Sequence, residues 1–540
     1  MTQMLDVARV KAMLKDGTVF AFLDVREEGE FSTQGHPLFA TPLPLSRLEP
    51  RALALLPDPA TRIVLMDSGE EAVDPPATGR ARRAAAKLAQ MGYTDLAVMQ
   101  GGLAAWRAAG HEVFTGVNVP SKAFGEVVEH ANDTPRIDAA DLQKLVDAGT
   151  DLVILDSRPF PEFNNMSIPG GIDCPGAELV YRVKDFAPRP ETLVVVNCAG
   201  RTRSIIGAQS LINAGLPNKV IALKNGTMGW HLAGLQVARG ETKSFGPQGP
   251  EAARFAQAAA ADLTRRLAIR KIDRAGLAAL EKAGKPLYRL DVRDPAEYAT
   301  GHLPGFRHAA GGQLVQATDQ YVGARNATIV LHDNDGVRAT MTAHWLVQMG
   351  WDDVHVLDHV PAAGELTTAA EPRFPAGFAL PRPATVTAAE LQKSLGETLV
   401  IDLDTSLRYR DGHVPGAWFA VRANLGRTLP GLLVQTGARR VVLVSPDGEI
   451  ATLAAPEAAE AAGTVPVSVL AGGMKAWKDA GLALETGHVH MADPPTDVWY
   501  RPYDFKDNVE AAMRQYLDWE VDLVPQVERD GDARFKVLKR

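Results

Sequence analysis

Cys198 ends an apolar run, Val194-Val195-Val196-Asn197, and is followed by Ala199-Gly200-Arg201-Thr202-Arg203-Ser204. The pattern predicts a strand, a tight loop built on one glycine, and a helix that Ser204 opens and residues 205–216 continue. Backbone N–H groups of such a loop point at the sulfur, and the helix end adds partial positive charge. Both effects favour thiolate over thiol, and the thiolate is the nucleophile. Arg201 and Arg203 are the candidates to hold an anionic substrate, with Ala199, Gly200 and Thr202 forming the cradle around them. Arg182, after Pro175-Gly176-Ala177-Glu178-Leu179-Val180-Tyr181, is a candidate for the mouth of the site. The other cysteine, Cys174, reads as a small packed residue, with a resolving thiol as the alternative.

The elements that must position Cys198 occur four times. An apolar strand ends in an aspartate tetrad at Leu23-Asp24-Val25-Arg26, Leu155-Asp156-Ser157-Arg158, Leu290-Asp291-Val292-Arg293 and Ile401-Asp402-Leu403-Asp404. An acidic and aromatic pair follows the first three, at Glu30-Phe31, Glu162-Phe163 and Glu297-Tyr298; the fourth keeps only Tyr409. A small turn comes next, such as Ile168-Pro169-Gly170 or Gly412-His413-Val414-Pro415-Gly416. A Gly-x-x-x-Trp-like element closes three of the copies at Trp106, Trp230 and Trp477, whose role reads as core packing. Short Val/Ile/Leu strands alternate with helical patterns, which implies mainly parallel sheets with helices on both faces. Sites on such sheets lie beyond the carboxyl ends of the strands, where Cys198 stands. Glycine- and proline-rich stretches at 240–250 and 370–383 mark boundaries. The expected units are 1–117, 118–248, 249–376 and 377–487, followed by a tail at 488–540. In that tail, 508–519 places Val509, Ala512, Met513, Tyr516 and Leu517 on one helical face, expected to dock on the domains.

Composition sets the outer limits. A chain of 540 residues is too long for one core. Hydrophobic residues at 46% and charged residues at 23% are ordinary for a globular protein. A net charge of −8 argues against general attraction to nucleic acid or anionic membrane, so an anion site must be a local basic pocket. Two cysteines exclude a disulfide scaffold and a multi-cysteine zinc site, and the histidines lack metal-ligand spacing. No P-loop or dinucleotide fingerprint is present, and neither a metal nor an organic cofactor is expected. The start of the chain reads as an amphipathic helix rather than a signal peptide, and no apolar run could span a bilayer. A free thiol suits a reducing compartment, so a cytoplasmic location is the expectation.

The order of tetrad, turn, loop-bearing strand and Gly-x-x-x-Trp element, repeated over residues 1–485, resembles the rhodanese family of sulfurtransferases. That resemblance implies four tandem rhodanese-like α/β domains. It implies that the active cysteine accepts a sulfane sulfur as a persulfide and passes it on. It further implies that Asp156 and Arg158, with Ser204, support the loop, a purely structural ion pair being the other reading. The loop length fits: Cys198 and Arg203 make C-x4-R, whereas cysteine-dependent phosphatases and arsenate reductases use C-x5-R and would need arginine at Ser204. Ala199 stands where mercaptopyruvate sulfurtransferases carry glycine, which favours thiosulfate as donor.

Set in register, the four loop-bearing strands keep one thiol. Asp67, Asp333 and Pro446 are expected where Cys198 stands, and none can carry a persulfide. Unit two is therefore the expected catalytic unit. The others are structural copies, regulators or docking surfaces, and Asp67 and Asp333 would hold their loops through the same N–H groups. The expected reaction is a double displacement from a small anionic donor such as thiosulfate to a thiol or cyanide. A relay that passes persulfide between protein partners is the alternative, and a phosphatase or arsenate reductase is the third.

Overall fold

Val194, Val195 and Val196 are each fully buried, so the strand Leu193–Asn197 meets apolar groups on both faces. A strand buried on both sides belongs at the centre of a parallel sheet, and that is its place. The computed structural model describes residues 2–69 and 79–539; residues 70–78, inside the first expected unit, lie outside them. The sheet of unit two runs Arg136–Ile137, Val220–Leu223, Leu193–Asn197, Leu152–Asp156, Ile172–Asp173, every neighbouring pair parallel. The same order recurs around Thr328–His332 in unit three and Arg440–Val444 in unit four.

Unit one repeats this order and gains a sixth strand. Ala324–Arg325, from unit three, pairs antiparallel with Phe20–Asp24. Tyr288 Oη donates to Leu55 O at 2.8 Å and Asn326 Nδ2 to Thr18 O at 2.9 Å across the same seam. Nothing in the repeat pattern announced this shared sheet. The core is shared as well: Val337 and Met341 of unit three pack with Leu179, Val183 and Leu211 of unit two. The boundary stretch at 240–250 leads into a helix, Pro250–Leu267, with proline in its first turn. Its Ala256, Ala259, Ala260 and Leu263 join the same core.

Strand register fixes which residues correspond. Asp156 lies opposite Asn197, Asp24 opposite Met66, Asp291 opposite His332 and Asp402 opposite Val444. The next residues are Cys198, Asp67, Asp333 and Ser445. Pro446 is therefore not at the nucleophile position of unit four; Ser445 is. The carbonyl of Cys198 accepts from Thr227 N at 2.9 Å, and that of Ser445 from Met474 N at 2.9 Å, which gives the same alignment. The misreading has a simple cause. The strand ends on polar Asn197 and His332 in units two and three but on apolar Met66 and Val444 in units one and four, so the end of the apolar run does not mark the same position in every copy.

Trp106, Trp230 and Trp477 are buried, and each indole N–H donates to a carbonyl six residues on, at Glu112, Gln236 and Ala483. Their role is packing. Before Trp230, Gly226 has φ +55°, and a Cβ there would lie 2.2 Å from Cys198 O. Only glycine lets the helix Gly226–Leu232 approach the active loop so closely.

The tail helix is longer than its readable face. It spans Val509–Asp530 rather than ending at 519. Leu523 and Val527 pack into the core of unit one, while Met513 and Leu517 meet Ala199 and Met228 of unit two. The helix thus docks on two units and roofs the loop that carries Cys198. Among the described residues, no helix is long and apolar enough to cross a membrane.

Candidate active site

The loop occupies residues 198–201, between the strand Leu193–Asn197 and the helix Thr202–Asn213. That helix opens at Thr202, two residues earlier than Ser204, so Arg203 sits in its first turn. Cys198 is 2% exposed. Its thiol donates to Ser204 Oγ at 3.4 Å, and Ser204 Oγ donates to Arg201 O at 2.8 Å. The loop was expected to favour the thiolate outright. Burial instead pushes the Cys198 thiol above its ordinary value, Arg203 and Ser204 pull it back, and Glu520 adds to the rise. The roof supplies part of this: Tyr516, Leu517 and Glu520 lie within 4 Å of where a Cβ on Gly200 would be.

Asp156 and Arg158 form a buried bidentate pair, Nε to Oδ1 at 2.9 Å and Nη2 to Oδ2 at 2.7 Å. Asn197, the residue before Cys198, donates to Asp156 Oδ2 at 3.0 Å. The pair ties the tetrad to the strand end and so holds the start of the loop. Asp24–Arg26 and Asp291–Arg293 make the same pair in units that lack the cysteine. Its work is thus structural, common to units with and without the cysteine.

The three expected arginines part ways. Arg201 is turned into the protein. It gives Nε and Nη2 to Glu126 at 2.7 and 2.6 Å, Nη2 also to Glu129 at 2.6 Å, and Nη1 to Asn225 at 3.3 Å. These partners occupy the guanidinium, so Arg201 holds the loop to the helix Val119–Asn132 rather than facing a substrate. Arg182 is also elsewhere. It donates to Glu178 Oε2 at 2.9 Å and Gly246 O at 2.6 Å, and lies over Tyr181 and Phe245. The cleft it lines with Gln248 and Glu297 shares no residue with the cavity beside the loop. Arg203 does face that cavity, paired with Glu162 at 2.9 and 2.8 Å and with Gln313 at 3.2 Å. Burial alone would raise Glu162; Arg203 overrides it and holds the carboxyl down to about 2. Cys174 is fully buried in the core of unit two, where burial drives its thiol far up.

The cavity is a chamber of about 210 Å³, walled by Ala199, Arg203 and Glu162 from unit two and by Arg501, Tyr503 and Tyr516 from the tail. Lys122, on the helix Val119–Asn132, also lines it. Glu520 reaches the loop from above: its carboxylate accepts from Thr202 Oγ1 at 3.2 Å and Tyr516 Oη at 3.0 Å. Lys122, Arg501 and Glu520 escaped sequence reasoning, and Tyr516 was read only as part of a docking face. The helical face of Met513, Tyr516 and Leu517, continued by one more turn, would have reached Glu520.

A cysteine at the carboxyl end of a central parallel strand, first residue of a four-residue loop that leads into a helix N-terminus, defines a class of thiol enzymes. The rhodanese-like domain profile matches residues 6–109, 138–233, 275–359 and 387–480, and the chain belongs to that family. It is similar along its whole length to the thiosulfate sulfurtransferase from Pseudomonas aeruginosa: 46% identity over 99% of this chain and 100% of that one, with a TM-score of 0.91. The BH2092 protein of Bacillus halodurans is 22% identical over 20% of this chain and 77% of its own, with a TM-score of 0.18. A rhodanese-related protein of Thermoplasma volcanium is 14% identical over 19% of this chain and 97% of its own, with a TM-score of 0.17. The chain is a rhodanese-type sulfurtransferase with four tandem rhodanese-like units.

Proposed function

We propose that the protein transfers the outer sulfur of thiosulfate to a thiophilic acceptor, cyanide or a thiol, through a persulfide on Cys198. The observation that carries this reading is that Cys198 is the one thiol among four corresponding positions, beside a helix N-terminus and a basic chamber. The Cys198 thiol loses its proton to solvent. The thiolate attacks the outer sulfur, a Cys198–sulfur bond forms, and the sulfur–sulfur bond of thiosulfate breaks. Sulfite departs with the electron pair of the broken bond. The acceptor's nucleophile then takes the outer sulfur, and the Cys198 thiolate is restored. The two displacements balance without an outside oxidant or reductant. Charge developing on the leaving sulfite meets the loop N–H groups and the positive end of the helix Thr202–Asn213. Unit two, residues 118–248, is the catalytic unit of this reading. The roofing of Cys198 by the tail favours a small-molecule donor over direct delivery between protein partners, and Ser204 in place of arginine disfavours phosphate chemistry.

Intact-mass spectrometry after thiosulfate treatment tests the proposal. One added sulfur atom is expected, at Cys198, removed again by cyanide. A chain that gains no sulfur sinks it.

A further inference from the structure

Lys122 has an unusual position for a lysine. It is 2% exposed, and its Nζ has no hydrogen-bond acceptor. Three rings surround the ammonium: Trp499 at 5.0 Å, Tyr516 at 4.9 Å and Trp519 at 4.7 Å from their centroids. Among the described residues, no carboxylate oxygen lies within 4.0 Å of it. Ring faces attract a cation but do not replace the hydration that burial removes. Lys122 lines the chamber beside Ala199 and Arg203. Across the chamber, Arg501 is a second cation without an ion pair among the described residues; its guanidinium rests 5.8 Å from the Tyr503 ring and offers Nη1 to Tyr503 Oη at 3.4 Å.

Among the described residues, no acid forms an ion pair with these two charges; Glu520 and Asp319 attract Lys122, and Glu162 and Asp504 attract Arg501, only from a distance. Glu162 is taken by Arg203. Burial raises Glu28, and Arg51 and Arg47 act on it more strongly than Arg501 does. The chamber therefore presents two positive groups without a bonded carboxylate next to the nucleophile's loop, while Arg201 and Arg182 are consumed by their own partners. We infer that Lys122 and Arg501, with Arg203, form the anchor for the oxyanion end of the sulfur donor, and that Lys122 sets the preference for a dianionic donor over a monoanionic one. This rests on the reading of Cys198 as the sulfur acceptor. The donor site is then assembled from three distant stretches: the helix Val119–Asn132 that opens unit two, the first turn after the loop, and the tail. Two cations without a bonded carboxylate match the two charges of an S–SO₃ dianion. A charge-assisted hydrogen bond to each is the natural recognition, and Lys122 gains the acceptor it lacks.

The same rings hold the tail against the helix Val119–Asn132, so Lys122 could serve as a clamp and nothing more. The test must separate the two tasks. Lys122→Gln in the full chain should raise KM for thiosulfate about ten- to hundredfold, the worth of one charged hydrogen bond, with kcat within about twofold. Lys122→Arg should restore most of it. Methanethiosulfonate, a monoanionic donor, should show a much smaller change in KM. Binding is read separately in Cys198→Ser, where thiosulfate should perturb the fluorescence of Trp499 and Trp519, and the double variant with Lys122→Gln should lose that response. An unchanged KM for thiosulfate in Lys122→Gln overturns the inference. So does an equal loss with both donors, or a loss that tracks a lowered melting temperature and is not rescued by arginine. Failure of wild-type Cys198 to take up sulfur would instead overturn the proposed function and leaves its own signature in the mass spectrum.

Discussion

In unit three, the carboxylate of Asp333 accepts backbone N–H groups from Asp335, Gly336 and Ala339. In unit one, Asp67 accepts from Gly69 and Ala81 at 2.9 and 3.0 Å. The corresponding donors in unit two belong to Gly200, Arg201 and Ser204. There the residue at the strand end is a thiol, and among the described residues no protein oxygen accepts from Gly200 or Arg201 N–H. The same backbone turn is therefore closed by its own anion in units one and three and left open to a foreign one in unit two. Ser445 in unit four is intermediate: its hydroxyl accepts from Ala451 N at 3.2 Å and brings no charge. The difference between the cysteine loop and its counterparts is thus one of occupancy, and on the proposed function a side chain that fills the turn both stabilises and silences it.

The sharpest way to break this comparison is Cys198→Asp. It should abolish sulfur transfer to background and leave the melting temperature equal or higher, because the new carboxylate fills the vacant donors. A loss of several degrees would show that the two turns are not equivalent. Next in size is Arg201→Met. Removing one partner of a buried ion pair costs about 3–5 kcal/mol, and the loss should appear in denaturant unfolding. KM for thiosulfate should stay within about twofold; a large rise would return Arg201 to the donor site. Asp333→Ala should cost about 2–3 kcal/mol through orphaned N–H groups, while Cys198→Ala should cost under about 1 kcal/mol. Equal costs at the two positions would remove the contrast in occupancy. The smallest effect concerns pH. Burial raises Cys198 above its ordinary value, so the thiol form dominates at neutrality. At saturating thiosulfate, the rate of sulfur uptake should therefore rise with pH from neutrality upward. Glu520→Gln removes a charge that adds to that rise and should move the climb to lower pH, as stopped-flow measurement would show.

The fold was readable because it is written four times. Each tetrad and each loop-bearing strand is short and local, and their order repeats even where single motifs decay. Cys198 and the Asp156–Arg158 pair were readable for the same reason. Arg201 was not, because its partners Glu126 and Glu129 lie more than 70 residues before it. Arg182 carried a warning that spacing alone could supply: Glu178 stands four residues earlier on one helix, the distance of an ion pair. Ser445 was missed because an apolar Val444 blurred the strand end. The chamber could not be found from periodicity at all, since its walls come from parts of the chain joined only by folding.

The roof over Cys198 also sets a schedule. Thr202 and the Glu520 that bonds it are separated by 318 residues. At a synthesis rate of about 5–20 residues per second, a nascent chain spends roughly 15–60 seconds with the loop made and its cover still unmade. Through that interval the thiol is open to whatever electrophile the compartment offers. The cover is thus deferred until a further 318 residues have been made, and a ribosome that stops within them releases an exposed thiol without its chaperoning helix.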